Sequence, residues 1–325
     1  MTNETKKELN IVLIPTEEAL ECVKQEVDRT LSKSPLLIRD YTRHLISSRG
    51  KYIRALSVIY CAEDAQGMVH PNAIRIAAAI EILHLATLVH DDIIDNAELR
   101  RGEVTLQKKY GKRTAVICGD YLLTVALRMA ASIENKKDYL DLNLPDYVGR
   151  LCLGELNQHM NNGNINLSIY RYLKIISGKT AALFEASYFA GAIFADCSEK
   201  EAKKYRQLGY FIGMIFQLTD DCIDFEDSVE DAHKPVQSDY EQGVITLPLI
   251  HAFSELGDFK EKAEAHKISR KEINDAVAKT GGLDFTRKMV QKYYDKAKRI
   301  INELPATDSK KEKLLMVLNK AARKR

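Results

Sequence analysis

The chain has 325 residues, 45% hydrophobic and 29% charged, which is enough apolar material for a sizeable core and excludes long disorder. Its 48 basic and 46 acidic residues leave a formal charge of +2, so no overall field draws it to nucleic acid. Only 16 Gly and 7 Pro occur, few turn-makers for this length, which argues for long helices and against a sandwich, a propeller or a Gly-rich α/β sheet.

The opening residues, MTNETKKELN, are charged and lack the apolar stretch of a signal peptide. Asn10-Ile-Val-Leu-Ile14 is a short, isolated strand signal. Leu20, Val23, Val27 and Leu31 then recur at helical spacing and mark a first helix, begun through Pro15-Thr16-Glu17. The same periodicity predicts helices over about 36–47, 50–65, 72–92, 112–133, 144–162, 168–195, 198–225, 244–255, 270–280, 282–303 and 308–323. Val244-Ile-Thr-Leu247 is strand-like but leads into Pro248 and reads as the start of a helix. Loops concentrate at 93–111, 134–143 and 226–243. No long linker divides the chain. The reading is one all-α domain over 1–325, with the more polar, more basic segment from about 256 as a peripheral helical part packed on the main bundle. No stretch of 18 apolar residues is free of charge, so no transmembrane helix is expected. Cysteines at 22, 61, 118, 152, 197 and 222 form no CxxC pair and read as reduced thiols of a cytoplasmic protein.

Two helices are apolar on nearly every face: 72–92, from Ile74 to Val89, and 208–225, from Leu208 to Leu218. Each ends in D-D-x-x-D: Asp91, Asp92 and Asp95 in the first, Asp220, Asp221 and Asp224 in the second. Residues i and i+4 share a helix face, so Asp91 and Asp95 repel each other, as do Asp220 and Asp224. Both clusters also sit at helix C-termini, where the macrodipole disfavours negative charge. One such cluster fits a solvated helix end; two, each closing a buried apolar helix, call for a cation. Oxygen donors without His or Cys neighbours suit Mg²⁺, which binds through a few carboxylates plus substrate phosphates. Two facing clusters would hold several Mg²⁺ and clamp a diphosphate.

Basic residues offer a second anion site. Lys51 and Arg54 stand at i, i+3 in Gly50-Lys51-Tyr52-Ile53-Arg54; Arg100 and Arg101 follow the first cluster and Lys234 the second. Lys179 is the most informative, because its helical neighbours Ile175, Ile176, Ala182 and Leu183 are apolar and an ammonium there needs a partner.

These segments resemble the trans-prenyltransferase (polyprenyl synthetase) family, of the medium- or long-chain type. The matching stretches run in order from GKYIR (50–54) through EILHLATLVHDDIIDNAELRRG (81–102), GDYLL (119–123), LCLGELNQ (151–158), GKTAALFEAS (178–187) and FQLTDDCIDF (216–225) to KPVQSDYEQGVITLP (234–248). The resemblance implies an isoprenoid-synthase-type helical bundle around a deep central cavity, usually a homodimer, condensing isopentenyl diphosphate head-to-tail onto an allylic diphosphate. It implies that Asp91, Asp92, Asp95, Asp220, Asp221 and Asp224 bind Mg²⁺, three ions per site with substrate bound. Arg100, Lys179 and Lys234 would contact the allylic diphosphate; Lys51, Arg54, His84 and Arg101 would hold isopentenyl diphosphate; Thr180 and Gln217 would stand beside the reacting carbon.

The chain departs from the family at three points. Arg49 and Ala55 flank a first motif that usually reads GGK-x-x-R-P, His233 replaces the glycine before Lys234, and Val244 stands where many members carry Lys. Ala86 and Thr87, five and four residues before Asp91, lie one turn up the helix beside the allylic tail. With no aromatic there, the product is expected to exceed farnesyl, at about six to eight isoprene units, with Leu83, Ile82 and Leu127 toward the floor. A farnesyl or geranylgeranyl synthase, a terpene cyclase, a non-catalytic subunit, and a catalytic chain needing a small regulatory subunit are the alternatives. Cyclases normally lack the Lys51, Arg54, His84 set, and non-catalytic subunits lose an aspartate cluster. The basic tail from Lys320 is expected to close near the isopentenyl diphosphate site.

Overall fold

The computed structural model describes residues 12–47, 50–133, 142–195, 197–226, 240, 243–265 and 268–324. The described elements are overwhelmingly helical. In order they are α1 (Thr16–Ser32), α2 (Leu36–Ser47), α3 (Ile53–Ala62), α4 (Pro71–Ile94), α5 (Leu106–Tyr110), α6 (Lys112–Ala131), α7 (Leu144–Met160) and α8 (Ile169–Ile176). A π-turn (Ser177–Ala181) joins α8 to α9 (Ala182–Ile193), and α10 (Glu199–Glu226), α11 (Leu247–Glu255), α12 (Gly257–Ala265), α13 (Arg270–Thr280), α14 (Gly282–Glu303) and α15 (Asp308–Ala321) follow. Two antiparallel ribbons of two residues per strand pair Ile14–Pro15 with Met68–Val69 and Leu99–Arg100 with Glu103–Val104.

Local chemistry sets many of these ends. Ser168, Thr105 and Thr307 each accept a backbone N–H from the first turn of the helix they precede, and Ser269 with Glu272 forms a reciprocal capping box at α13. The predicted loop 93–111 contains a ribbon and α5, and α12 lies where no helix was expected. Both short helices mix polar and apolar residues too freely to leave a period. The predicted helix over 168–195 is interrupted by the π-turn.

Two clusters of buried side chains fill the bundle. The first gathers α1, α3, α4 and α6 around Ile76, Ile80, Ile82 and Leu122; the second gathers α10, α11 and α13 to α15 around Leu208, Ile212, Met214 and Ile301. The helix α9 belongs to both, giving Leu183 and Ala186 to the first and Phe184 and Tyr188 to the second. Its position welds the clusters and leaves the C-terminal ends of α4 and α10 at their seam. The segments Pro71–Ile94 and Lys112–Ala131 have the length and hydropathy of membrane spans, yet 61% of the most apolar stretch of α4 is buried inside the bundle. The apolar faces of α4 are therefore consumed by core packing.

Candidate active site

Helices α4, α7 and α10 and the π-turn supply most of the polar lining of a cavity of about 260 Å³. One face of α4 contributes His84, Thr87, Leu88 and Asp91, spaced by three, four and seven residues as a single helical stripe requires. The end of α10 contributes Phe216, Gln217, Asp220 and Asp221; the π-turn contributes Lys179 and Thr180; α7 contributes Glu155 and Gln158. The two aspartate clusters, 129 residues apart in sequence (220 less 91), thus share one space.

The π-turn aims the polar pair. Its Gly178 Cα lies 2.9 Å from the point where a Cβ on Gly154 of α7 would sit, so the two backbones touch with no room for a side chain between them. A wide turn at such a point is a frequent feature of functional sites. It brings Lys179 Nζ to 2.9 Å from a carboxylate oxygen of Glu155, which is the partner the apolar neighbourhood of this lysine demanded. Burial works to lower the Lys179 ammonium, but Glu155, Asp91 and Asp95 outweigh it and hold it charged. Asp91 fares differently: burial, then the nearby charge of Glu155, pushes its carboxyl up to about 7. Without a cation the ionised form of this aspartate is disfavoured.

A second cavity, about 810 Å³, opens on the other side of Arg54, His84, Leu88, Phe216 and Asp220, which line both. It is strongly cationic. Lys51, Arg100 and Arg101 face it, as do Lys320, Arg323 and Lys324 at the end of α15 and beyond, where the basic tail was expected. Lys51 precedes α3 instead of sharing a helix face with Arg54, because Tyr52 between them is left-handed at φ 50°. Arg101 is left-handed as well, at φ 53°. Such backbone is tolerated where the surroundings over-determine it, and it gathers at binding sites.

Arg54 is the pivot. Its guanidinium carbon lies 4.6 Å over the ring of Phe184, and burial pushes its pKa down to about 10 although Glu81 opposes the shift. Glu81, partly buried, accepts the Ala55 N–H at 2.9 Å and so braces the start of α3. Burial, and then the charges of Arg54, Arg101 and Arg100, hold His84 well below the usual histidine range. It is neutral and can offer one N–H to an anion.

Some expected residues stand elsewhere. Asp92 turns away from both cavities and accepts from Arg100 Nε at 2.6 Å, a neighbour reached through the ribbon at Leu99–Arg100. Arg100 accordingly faces the second cavity and not the first. Asp95 caps the end of α4, on the side that feels Lys179, and neither it nor Asp224 lines either of these two cavities. Thr87 lines the first cavity, but Ala86 is 2% exposed and lies in the core cluster that includes α6. Lys234 lies outside the described residues. Glu155, Tyr172 and Glu81 were missed, although an acid in apolar α4 asks for a partner by the argument that singled out Lys179. Tyr172 is seven residues before Lys179, two helical turns along.

The donor set suits a hard divalent cation. It consists of carboxylate oxygens, one of them destabilised without a counter-charge. Among the described residues no three acidic, His or Cys groups already form a closed cage. Coordination positions are then left for phosphate oxygens, as Mg²⁺ prefers.

An all-α bundle presenting acidic helix ends beside a cationic cavity has the groups to hold a cation and an anion side by side. Comparison with known proteins gives the family. Residues 35–280 match the polyprenyl synthetase pattern, and the chain belongs to that family of prenyltransferases. Component 2 of heptaprenyl diphosphate synthase from Geobacillus stearothermophilus is 32% identical over 302 residues, covering 90% of this chain and 91% of that one. Octaprenyl diphosphate synthase from Escherichia coli is 32% identical, with 85% and 87% covered. The crystal structure of heptaprenyl diphosphate synthase from Staphylococcus aureus superposes with a TM-score of 0.87 at 30% identity, covering 96% of this chain and 99% of that one.

Proposed function

We propose that this enzyme condenses isopentenyl diphosphate head-to-tail with an allylic diphosphate, using Mg²⁺, to make a trans-polyprenyl diphosphate longer than farnesyl. One observation carries the reading: two cavities, each with basic side chains in its lining, lie side by side and share Arg54, His84 and Asp220 as their wall. A cyclase or hydrolase acting on one diphosphate has no use for the second. The allylic diphosphate is assigned to the cavity of Asp91, Asp220 and Lys179, with isopentenyl diphosphate in the cavity of Lys51, Arg54, His84 and Arg101.

Mg²⁺ held by Asp91 and Asp220, with Asp95 and Asp224 in support, would neutralise the departing diphosphate. Lys179, kept charged by Glu155, supplies a fixed positive group on the same leaving oxygens. The allylic C–O bond breaks, its electron pair leaves with the diphosphate, and a delocalised cation remains. Arg54, His84 and Lys51 hold isopentenyl diphosphate so that its alkene pair forms the new C–C bond. The released diphosphate accepts the proton then lost, and the double bond re-forms. Thr180 and Gln217 turn oxygen atoms toward the cation without trapping it.

Thr87, one turn above Asp91, meets the tail, and its small side chain supports a product of medium length, about six to eight units, as in the heptaprenyl and octaprenyl synthases. Val116 and Ile117, 41% and 59% exposed on α6, suit a second copy of the chain. Six free cysteines agree with a reducing, cytoplasmic setting. The relative named component 2 of a heptaprenyl synthase supports a second reading, a catalytic chain that needs a partner. Purified protein given Mg²⁺, farnesyl diphosphate and radiolabelled isopentenyl diphosphate distinguishes the readings. Products beyond farnesyl establish a self-sufficient synthase, and failure to incorporate label rejects it in favour of the two-chain form.

A further inference from the structure

The two aspartates that open the second cluster have different surroundings. Asp220 lines both cavities. Asp221 is 2% exposed, and each of its oxygens already has a donor: Gln217 Nε2 at 2.9 Å on Oδ1, and the Tyr172 hydroxyl on Oδ2. Gln217, one helical turn before Asp221, carries the contact onward, because its carbonyl accepts from Thr180 Oγ1 at 2.6 Å. Tyr172 on α8, Asp221 and Gln217 on α10, and Thr180 in the π-turn therefore form one hydrogen-bonded chain.

The donors and acceptors fix the direction of that chain. The two ends of a glutamine amide have nearly the same shape, so its orientation follows from its partners. Asp221 accepts from the Tyr172 hydroxyl on one oxygen and from Gln217 Nε2 on the other, which turns the NH₂ of Gln217 toward Asp221 and its carbonyl toward Thr180. Thr180 must then donate its single proton to that carbonyl, and its remaining lone pairs are what it has left to present to the cavity. If the amide were reversed, the positive end of its dipole would lie beside the allylic carbon instead.

We propose that Asp221 and Tyr172 are positioning residues and not part of the cation site: the buried carboxylate, pinned by the phenol, orients Gln217 and Thr180 so that oxygen faces the carbon where positive charge develops. This rests on the prenyl-transfer reading and deepens it. It separates Asp221 from Asp220, which the repeated D-D-x-x-D pattern groups together, and gives Tyr172 a role. An oxyanion hole does the same with reversed sign, and removing one pre-oriented group there costs about 100-fold in kcat.

The test compares Asp221→Asn, Tyr172→Phe and Asp220→Asn. It measures kcat and KM for label incorporation, and Mn²⁺ binding by electron paramagnetic resonance with inorganic pyrophosphate present. Asp221→Asn should lower kcat about 100-fold and Tyr172→Phe about tenfold. Both should leave KM and Mn²⁺ affinity within about twofold of wild type, a split that neither ligand loss nor general loosening produces. Asp220→Asn should weaken Mn²⁺. Because the relay passes through Gln217, Tyr172→Phe should add nothing to Gln217→Leu. Asp221→Asn weakening Mn²⁺ as much as Asp220→Asn would make Asp221 a cation ligand and overturn the proposal. So would multiplicative effects of Tyr172→Phe and Gln217→Leu, a comparison that decides alone if Asp221→Asn does not fold. Wild-type protein that incorporates no label would instead reject the self-sufficient synthase in favour of the two-chain form, a result distinct from all of these.

Discussion

Gly154 is buried in α7 with no functional group, yet replacing it should damage the enzyme. A Cβ added there would lie 2.3 Å from the backbone N of Lys179 and 2.6 Å from the carbonyl carbon of Gly178. Ordinary contact begins at 3.4 Å, so α7 and the π-turn must separate by at least 1.1 Å, the difference of the two distances. Neither obstacle is a flexible side chain that can swing aside. The atom that moves belongs to Lys179 itself, with Thr180 next to it, and a misplacement of about 1 Å at a reacting centre costs about 100-fold. Gly154→Ala should therefore lower kcat/KM for isopentenyl diphosphate about 100-fold. Overpacking of about 1–3 kcal/mol should be partly offset by a helix-propensity gain of about 0.5–1 kcal/mol. Gly149→Ala in the same helix is the control, because nothing lies within 4 Å of its added Cβ. It should raise Tm slightly and leave turnover unchanged. Label incorporation and thermal unfolding on both variants read the result. Gly154→Ala within about threefold of wild-type kcat/KM would refute the claim that this backbone contact sets the position of Lys179.

Three further outcomes follow from the same geometry. Lys310, 5% exposed, donates to the carbonyls of Cys61 and Glu63 at 2.7 and 2.8 Å, so Lys310→Met should strand two acceptors at the end of α3 and cost about 2 kcal/mol by thermal unfolding; a more stable Met variant would contradict this. Burial, then Glu155, places the folded Asp91 carboxyl at about 7 against an ordinary value of 3.8, so the folded protein binds the extra proton between these limits. The contribution of Asp91 to metal-free stability should fall as pH rises through that window, while the Tm gain from added Mg²⁺ should grow from about pH 6 to 8; a pH-independent gain would remove Asp91 from the cation site. Thr87→Phe projects a ring into the first cavity and should shorten the products seen by chromatography with Tm nearly kept, whereas Ala86→Phe should first lower Tm by overpacking the core. Unchanged products from Thr87→Phe would place the tail elsewhere.

The parts of this molecule that the sequence disclosed were those where a residue contradicts its surroundings. Aspartates closing apolar helices, and Lys179 inside an apolar stretch, stand out without any knowledge of the fold. The bounds of α2, α13 and α14 agree with the expected ones because an amphipathic period marks them. The face of α4 was harder to read. A helix apolar on all sides has almost no preferred direction, so nothing in the sequence tells Ala86 from Thr87, although a rotation of about 100° per residue sends one to the core and the other to the cavity. The pairing of Asp92 with Arg100 depends on how the ribbon after α4 folds back, and no local pattern records that. Tyr172 and Glu155 look ordinary until the tertiary fold supplies Asp221 and Lys179.

The five residues from Ser177 to Ala181 form a wider turn than the helices they join. Such a turn stores one residue beyond what an α-helix of the same rise would use. Loss of a single amino acid here would therefore not shorten a loop. It would let α8 and α9 run on as one continuous helix with its two flanks nearly in their present orientation, while the residues inside the turn, Lys179 and Thr180 among them, would project in new directions. Lys179 and Thr180 would then no longer be aimed at the cavity by the wide turn, though each survived unchanged. Insertions and deletions that evolution scatters freely through surface loops should be purged from this stretch, and an alignment that opens a gap here places that gap in the chemistry.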